Sequence, residues 1–145
     1  MSLQFLADIH RVAGQLAAVL ESEKAIGGSA GDLFALAALN EPRPYDVAKL
    51  QVRLAVAPST LSSILNRLEK RGFLRRQTAR DRRTSDLVLT LEGAQAAEAA
   101  QRFLEALEDR MIAELSYGQA MAFTEVIEVV EKVLKPAAKA RVAGA

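Results

Sequence analysis

The sequence of 145 residues contains no cysteine and a single histidine, His10. Without cysteine the chain can form neither disulfides nor thiolate metal sites, and it cannot sense oxidants through a thiol. One histidine is a poor basis for a metal site, and it lies far from any obvious serine elbow that would make a nucleophilic triad. We therefore expect a protein that is not an enzyme, with no catalytic residue, metal ligand or cofactor.

Long apolar runs and phosphate-binding loops are also missing. No run of eighteen apolar residues occurs, and Asp8 and Arg11 interrupt the first apolar segment, so neither a membrane span nor a signal peptide is expected. These absences predict a cytoplasmic protein. Residues 27–31 are rich in glycine but lack the Gly-Lys-Ser/Thr ending of a phosphate-binding loop, and they are better explained as a break between two helices.

The positive charge of the chain is concentrated in one segment. Residues 49–83 contain ten Lys or Arg against two acids, Glu69 and Asp81, and so carry +8, while the whole chain carries +1. The remainder therefore carries −7. A polyanion would meet one cationic region on an acidic body, which favours oriented binding of nucleic acid. Charge alone leaves open that the segment is an ordinary solvated face.

Most of the chain has helical periodicity, and half of its residues are hydrophobic. Apolar residues at steps of three and four predict a helix over residues 3–24, and another is expected over 32–39. Two long apolar stripes follow Gly93, and the tail from Pro136 is expected to fray. Together with the first helix, these stripes exceed what one small domain can cover. This favours dimerisation, with an intramolecular helical bundle as the alternative.

The centre of the chain predicts two short helices joined by a turn. Asp46 is suited to cap a helix that ends at Leu54, and Pro58 is suited to begin the next. Apolar residues of that second helix fall on one side, at Leu61, Ile64, Leu65 and Leu68. Its other side carries Ser59, Ser62, Ser63, Asn66, Arg67 and Lys70, with Thr60 at the flank. Short polar side chains let a helix approach base edges, although an ordinary amphipathic helix with a weak polar face is the alternative.

A basic hairpin is predicted after this helix. Gly72 ends the helix, Phe73 and Leu74 begin an extended run, and residues 84–90 form the return strand. The tip between the strands is Arg80-Asp81-Arg82-Arg83. Asp81 can pair with one arginine while another projects, and arginine is attracted into narrow, negative minor grooves. The alternative is a mobile surface loop.

Residues 50–93 resemble the MarR family of winged helix-turn-helix transcription regulators. The resemblance is carried by Leu50, Leu54 and Val56, residues 58–62, residues 67–74 with Arg76, Asp81-Arg82-Arg83, and Leu89-Thr90 with Gly93. Two positions depart from the family pattern. Gln51 stands where a small alanine is usual, and Ala57 stands where serine commonly caps the helix, a loss of about 1 kcal/mol.

The resemblance implies a mainly α fold, a winged helix-turn-helix with a two-stranded β wing between N- and C-terminal dimerisation helices. Residues 1–31 would form the N-terminal dimerisation helix and linker, 32–92 the DNA-binding domain, and 93–145 the C-terminal dimerisation helices, within one structural domain per protomer. The implied function is a homodimeric regulator, most often a repressor, that binds a pseudo-palindromic operator in double-stranded DNA. A small aromatic or anionic effector would release it. A winged helix used only for protein contact is the alternative function.

Individual residues of the polar helix and the basic hairpin receive predicted roles. Bases are read, or phosphates contacted, by Ser59, Ser62, Ser63, Asn66 and Arg67. Phosphates are chiefly bound by Thr60, Lys70, Arg75 and Arg76. Arg82 is the first choice for the minor-groove contact, Arg80 and Arg83 are the alternatives to it, and Asp81 orients them.

Overall fold

The computed structural model describes residues 4–77 and 87–143, with side chains described through Lys135. This part of the chain forms α1 (Gln4–Glu21), α2 (Ala30–Leu39), α3 (Val47–Leu54), α4 (Pro58–Lys70), β1 (Leu74–Arg76), β2 (Leu87–Leu89), α5 (Leu91–Ala113) and α6 (Tyr117–Ala143). The two strands are antiparallel, with Leu74 opposite Leu89 and Arg76 opposite Leu87. The predicted mainly helical fold with a two-stranded β wing is confirmed.

Contacts divide the chain into two compact units, residues 1–104 and 105–145. The first unit has a core of aliphatic side chains from α2, α3 and α4, all at most 1% exposed: Leu33, Leu36, Leu50, Leu61, Ile64, Leu65 and Leu68. Leu20 of α1, Leu74 of β1 and Ala97 of α5 are also buried. Among the side chains described in the second unit, residues 105–135, none is buried.

Local signals in the sequence set the ends of the helices around α4. The side chain of Asp46 accepts a hydrogen bond from the Lys49 amide and caps α3. Ala57 offers α4 no side-chain cap, and Pro58 occupies its first turn. At the other end Gly72 has φ +76°, and the Phe73 amide donates to the Leu68 carbonyl at 2.9 Å. That bond and the left-handed glycine form a Schellman motif, which ends α4 abruptly.

A tight joint connects the base of the wing to α5. The hydroxyl of Thr90 donates to the Gly72 carbonyl at 2.5 Å and accepts from the Gly93 amide at 3.0 Å. The Thr90 amide donates to the Phe73 carbonyl at 3.0 Å. A Cβ on Gly93 would lie 1.8 Å from that Phe73 carbonyl oxygen. Glycine at this position therefore lets α5 begin directly against the end of α4.

Three predicted helix boundaries were wrong, and the first is the start of α2, which is Ala30 rather than Asp32. Helix α1 ends at Glu21 rather than near residue 24, and the Ser22 hydroxyl donates to the Val19 carbonyl at 2.6 Å just after this end. Helix α6 continues past Pro136 to Ala143, where fraying was expected. The proline removes one backbone donor, but the alanines around it have the highest helix propensity. In the part of the chain that is described, no helix is long and apolar enough to cross a membrane.

The joint at Gly93 gives a stability prediction. Replacing Gly93 with alanine forces α5 away from the wing base, and we expect the free energy of unfolding to fall by about 3 kcal/mol, as in overpacked sites. The matched control is Gly14→Ala in α1, where an added Cβ meets nothing within 4 Å. This control should gain about 0.5 to 1 kcal/mol from helix propensity. Urea unfolding followed by circular dichroism measures both, and equal stabilities would contradict the assigned role of Gly93.

Candidate nucleic-acid interface

Helix α4 separates its apolar side from its polar side completely. Leu61, Ile64, Leu65 and Leu68 are buried, and the exposed side carries Ser59, Thr60, Ser62, Ser63, Asn66 and Lys70. At 13 residues the helix is about 20 Å long, and its exposed face presents hydroxyls, an amide and an ammonium group. These groups can donate to or accept from base edges and phosphates. The structure thus brings together six of the residues predicted for DNA binding.

The wing supplies further cations beside α4. Arg75 and Arg76 are exposed on β1. Arg80, Asp81, Arg82 and Arg83 lie outside the described residues, so the predicted minor-groove contacts stay predictions. An open groove of about 720 Å³ runs along α4 and is lined by Ser63, Asn66, Arg67, Glu69 and Lys70.

Arg67 differs from the other polar residues of α4 because its guanidinium binds within the protein. Its Nη2 lies 2.7 Å from Oδ1 of Asp32, and its Nε lies 3.2 Å from Oδ2. The same Nη2 donates to the hydroxyl of Ser29 at 3.3 Å. Asp32 is fully buried and Arg67 is 45% exposed. The two-point geometry holds α4 against the start of α2.

Asp32 also closes the N-terminus of α2. Its carboxylate accepts from the Ser29 amide at 3.2 Å, and the Ser29 hydroxyl accepts from the Asp32 amide at 3.2 Å, which forms a capping box. Burial opposes ionisation of Asp32, but the hydrogen bonds from Arg67 and Ser29 outweigh it, so that the pKa of Asp32 lies below its usual range. The hydrogen bond to Asp32 likewise raises the pKa of Arg67. Both partners therefore stay charged.

Arg71, one turn beyond Arg67, binds the loop between α1 and α2. Its guanidinium donates to the carbonyls of Ile26 and Gly27, the latter at 3.4 Å, and its Cζ lies 4.6 Å from the ring centre of Phe73. Arg67 of α4 and Arg71, the C-cap of α4, thus both bind residues 26–32. We name the contacts of Arg67 and Arg71 with this loop the arginine clamp.

Arg76 connects the wing to the exposed face of α4. Its Nη2 donates to Oδ1 of Asn66 at 3.1 Å, and its Nε pairs with the carboxylate of Glu69. The side chains of Arg76 and Glu69 are 39% and 38% exposed. The charge of Arg76 is therefore partly balanced by Glu69.

Sequence reasoning missed Asp32, the residue on which the position of α4 depends. A signal was present, since Ser29 followed three residues later by Asp32 is a capping-box pattern before a helix. The partnership with Arg67, 35 residues away, had no such local signal. Among the described residues no group of three His, Cys, Asp or Glu side chains could hold a metal ion.

The fold and the exposed face of α4 define a winged helix-turn-helix protein. The family model described as the MarR family matches residues 29–85 of this chain. The HTH-type transcriptional repressor MdtR of Bacillus subtilis (strain 168) is 36% identical over 76 residues, which are 52% of this chain and 49% of MdtR. The match thus spans about half the length of that curated relative.

Solved structures share the fold over nearly the whole chain. A MarR/EmrR family transcriptional regulator from Acinetobacter sp. ADP1 has a TM-score of 0.76 at 17% identity, covering 92% of this chain and 96% of that chain. FabT of Streptococcus pneumoniae, solved in complex with DNA, has a TM-score of 0.67 at 20% identity, covering 92% and 94%. At these identities the likeness establishes a shared architecture.

The Asp32–Arg67 pair gives a second stability prediction. Arg67→Ala leaves a buried carboxylate unpaired and should lower the free energy of unfolding by about 3 kcal/mol. Asp32→Asn keeps the size of the side chain but removes its charge, and should cost about 2 kcal/mol. The exposed Asp109→Asn is the control and should be nearly neutral. Urea unfolding at pH 7 measures all three, and a neutral Arg67→Ala would contradict the role of the pair.

The same pair predicts how stability changes with acid. Because the folded pKa of Asp32 is depressed, its contribution is fully present above the unfolded value of about 3.9 and is lost as pH falls through the lower folded pKa. The difference in unfolding free energy between wild type and Asp32→Asn should therefore shrink below about pH 4. A difference that stays constant down to the acid transition would contradict this.

Proposed function

We propose that the protein is a sequence-specific DNA-binding transcriptional regulator, a repressor that binds a pseudo-palindromic operator as a homodimer. The observation that carries the proposal is the exposed face of α4, where hydroxyls, an amide and an ammonium group stand beside the basic strand β1. A helix used only for solubility would favour Glu and Lys, which are better helix formers. The relatives support the same function, since MdtR is a repressor and FabT was solved with DNA.

In the proposed complex, α4 of each protomer enters a major groove and acts as the recognition helix. The two helices would lie about 34 to 36 Å apart, one turn of the duplex. Ser59, Ser62 and Ser63 would lie against bases or the backbone, while Thr60, Lys70 and Arg75 would bind phosphates. Arg82 would reach the adjacent minor groove, with Arg80 and Arg83 as alternatives and Asp81 orienting them. Arg67 would act mainly through the arginine clamp, which fixes the helix.

The homodimer is supported by apolar side chains that the single chain leaves in water. On α1, Phe5 is 58% and Leu6 is 63% exposed. In the second unit, Phe123 is 62% exposed, and Met111, Ile112, Leu115, Ile127 and Leu134 are exposed too. Apolar surfaces of this extent mark protein contacts. Closed two-fold symmetry is the commonest arrangement that covers them.

Release by a small aromatic or anionic effector completes the proposal. The support for release by an effector is the match of residues 29–85 to the MarR family model, since the resemblance implies such an effector. Titration calorimetry against a panel of phenolic compounds tests it, and a panel without binding heat would remove this part of the proposal.

Mobility shift and fluorescence anisotropy with the DNA beside the protein's own gene test the proposed function. We expect retention that weakens steeply with salt, because each neutralised phosphate releases counterions. Lys70→Ala and Arg82→Ala should each weaken binding and lower the salt slope by about 1 for each phosphate contact removed. The control, Arg102→Ala in α5, should leave both unchanged. Absence of retention over all salts and sequences would instead favour a protein-contact adaptor.

Analytical ultracentrifugation tests the homodimer. The wild type should sediment with the mass of two chains. Leu6→Glu combined with Ile9→Glu charges the exposed apolar face of α1 and should yield monomers with at least tenfold weaker operator binding, since a dimer gains both half-sites at once. The control, Gln15→Glu, lies on the opposite side of α1 and should stay dimeric. A monomeric wild type at micromolar concentration would contradict the proposal.

A further inference from the structure

The contact of Arg76 with Asn66 bears on which base the recognition helix reads. Arg76 reaches from β1 to Asn66 Oδ1 at 3.1 Å while Glu69, on the same helix, pairs with its Nε. A guanidinium has only donors, so the amide of Asn66 must turn its oxygen toward the wing. The amide nitrogen, with its two donors, is then the group left for a ligand.

This orientation distinguishes between bases. Asparagine reads adenine by placing its oxygen and nitrogen side by side against N6 and N7. In this protein the oxygen is already turned to Arg76, which hinders that two-point contact. Guanine and thymine present acceptors in the major groove, N7 and O6 or O4, that the amide donors can contact. Adenine also presents N7, but the amino group at its neighbouring N6 is a donor and cannot accept the second amide hydrogen.

Glu69 keeps Arg76 in this position. A free arginine at the edge of α4 would move to a phosphate, where its charge is neutralised. In the described structure the carboxylate of Glu69 already balances part of that charge. The side chain of Arg76 is therefore held between the wing and the helix.

We infer that Asn66 selects guanine or thymine rather than adenine, and that Arg76, held by Glu69, is the positioning residue that sets this preference. The inference rests on the proposed function, since it specifies what the same surface recognises. It gives Arg76 a role in specificity in place of the phosphate contact that the sequence suggested.

Selection of binding sites from a random DNA pool tests the inference, with the wild type, Arg76→Ala, Asn66→Ala and the double variant. The position in the selected DNA site at which the base preference disappears with Asn66→Ala identifies the base that Asn66 contacts. There the wild type should select guanine or thymine, and Arg76→Ala should shift the preference toward adenine by on the order of tenfold, the worth of one good two-point contact. Arg76→Lys, which keeps a donor-only cation, should retain the wild-type preference. The double variant should match Asn66→Ala.

The outcomes separate this inference from the proposed function. If Arg76→Ala lowers affinity equally for all sequences and reduces the salt slope, Arg76 is a phosphate contact and the inference is overturned. Wild-type selection of adenine at the Asn66 position overturns it as well. In both cases DNA is still selected and the proposed function stands. If no protein enriches any sequence, the proposed function fails and the inference falls with it. Once that position is known, the affinity of the wild-type protein for four duplexes that differ only in that base pair measures the same preference directly.

Discussion

A buried carboxylate determines where helix α4 lies. Asp32 has no contact with solvent, so its charge requires partners, and the bonds from Ser29 and Arg67 supply them. Ser29 is the N-cap of α2, and Arg67 belongs to α4. The charge of Asp32 can therefore be buried only when the two helices lie in this relative position. Arg71 adds a second attachment to the same loop. The exposed face of α4 is therefore presented by a fixed scaffold.

Pairing within the protein means that the cations of residues 49–83 are not all available to a polyanion. Of the ten cations in residues 49–83, Arg67 is paired with Asp32 and Arg76 with Glu69. The face that remains is dominated by hydroxyls, an amide and Lys70, which suit close contact with base edges. In the proposed complex, non-specific attraction to the duplex would then depend mainly on Lys70, Arg75 and the arginines of residues 80–83. Specificity and electrostatic affinity would thus be assigned largely to different elements.

Features with a local cause could be predicted from the sequence. Asp46, Pro58 and Gly72 set helix ends by their own backbone and side-chain chemistry, and the apolar spacing of α4 identified its buried face. The pairs Asp32–Arg67 and Arg76–Asn66 could not be predicted, because they join residues brought together only by tertiary packing. Arg67 lies on the polar side of the helical wheel and therefore looked like a solvent-facing cation. Helix α6 passes Pro136, although proline removes a backbone donor and alone indicates a helix end.

In the proposed function, the exposed face of α4 contacts the bases of duplex DNA. Because the chain has no cysteine, Ser62→Cys can carry a single photo-crosslinker on that face, and Thr124→Cys in α6 can carry the same group as the control. We expect crosslinks from position 62 to bases within each operator half-site, and none from position 124. DNA that is bound without any crosslink from position 62 would contradict it.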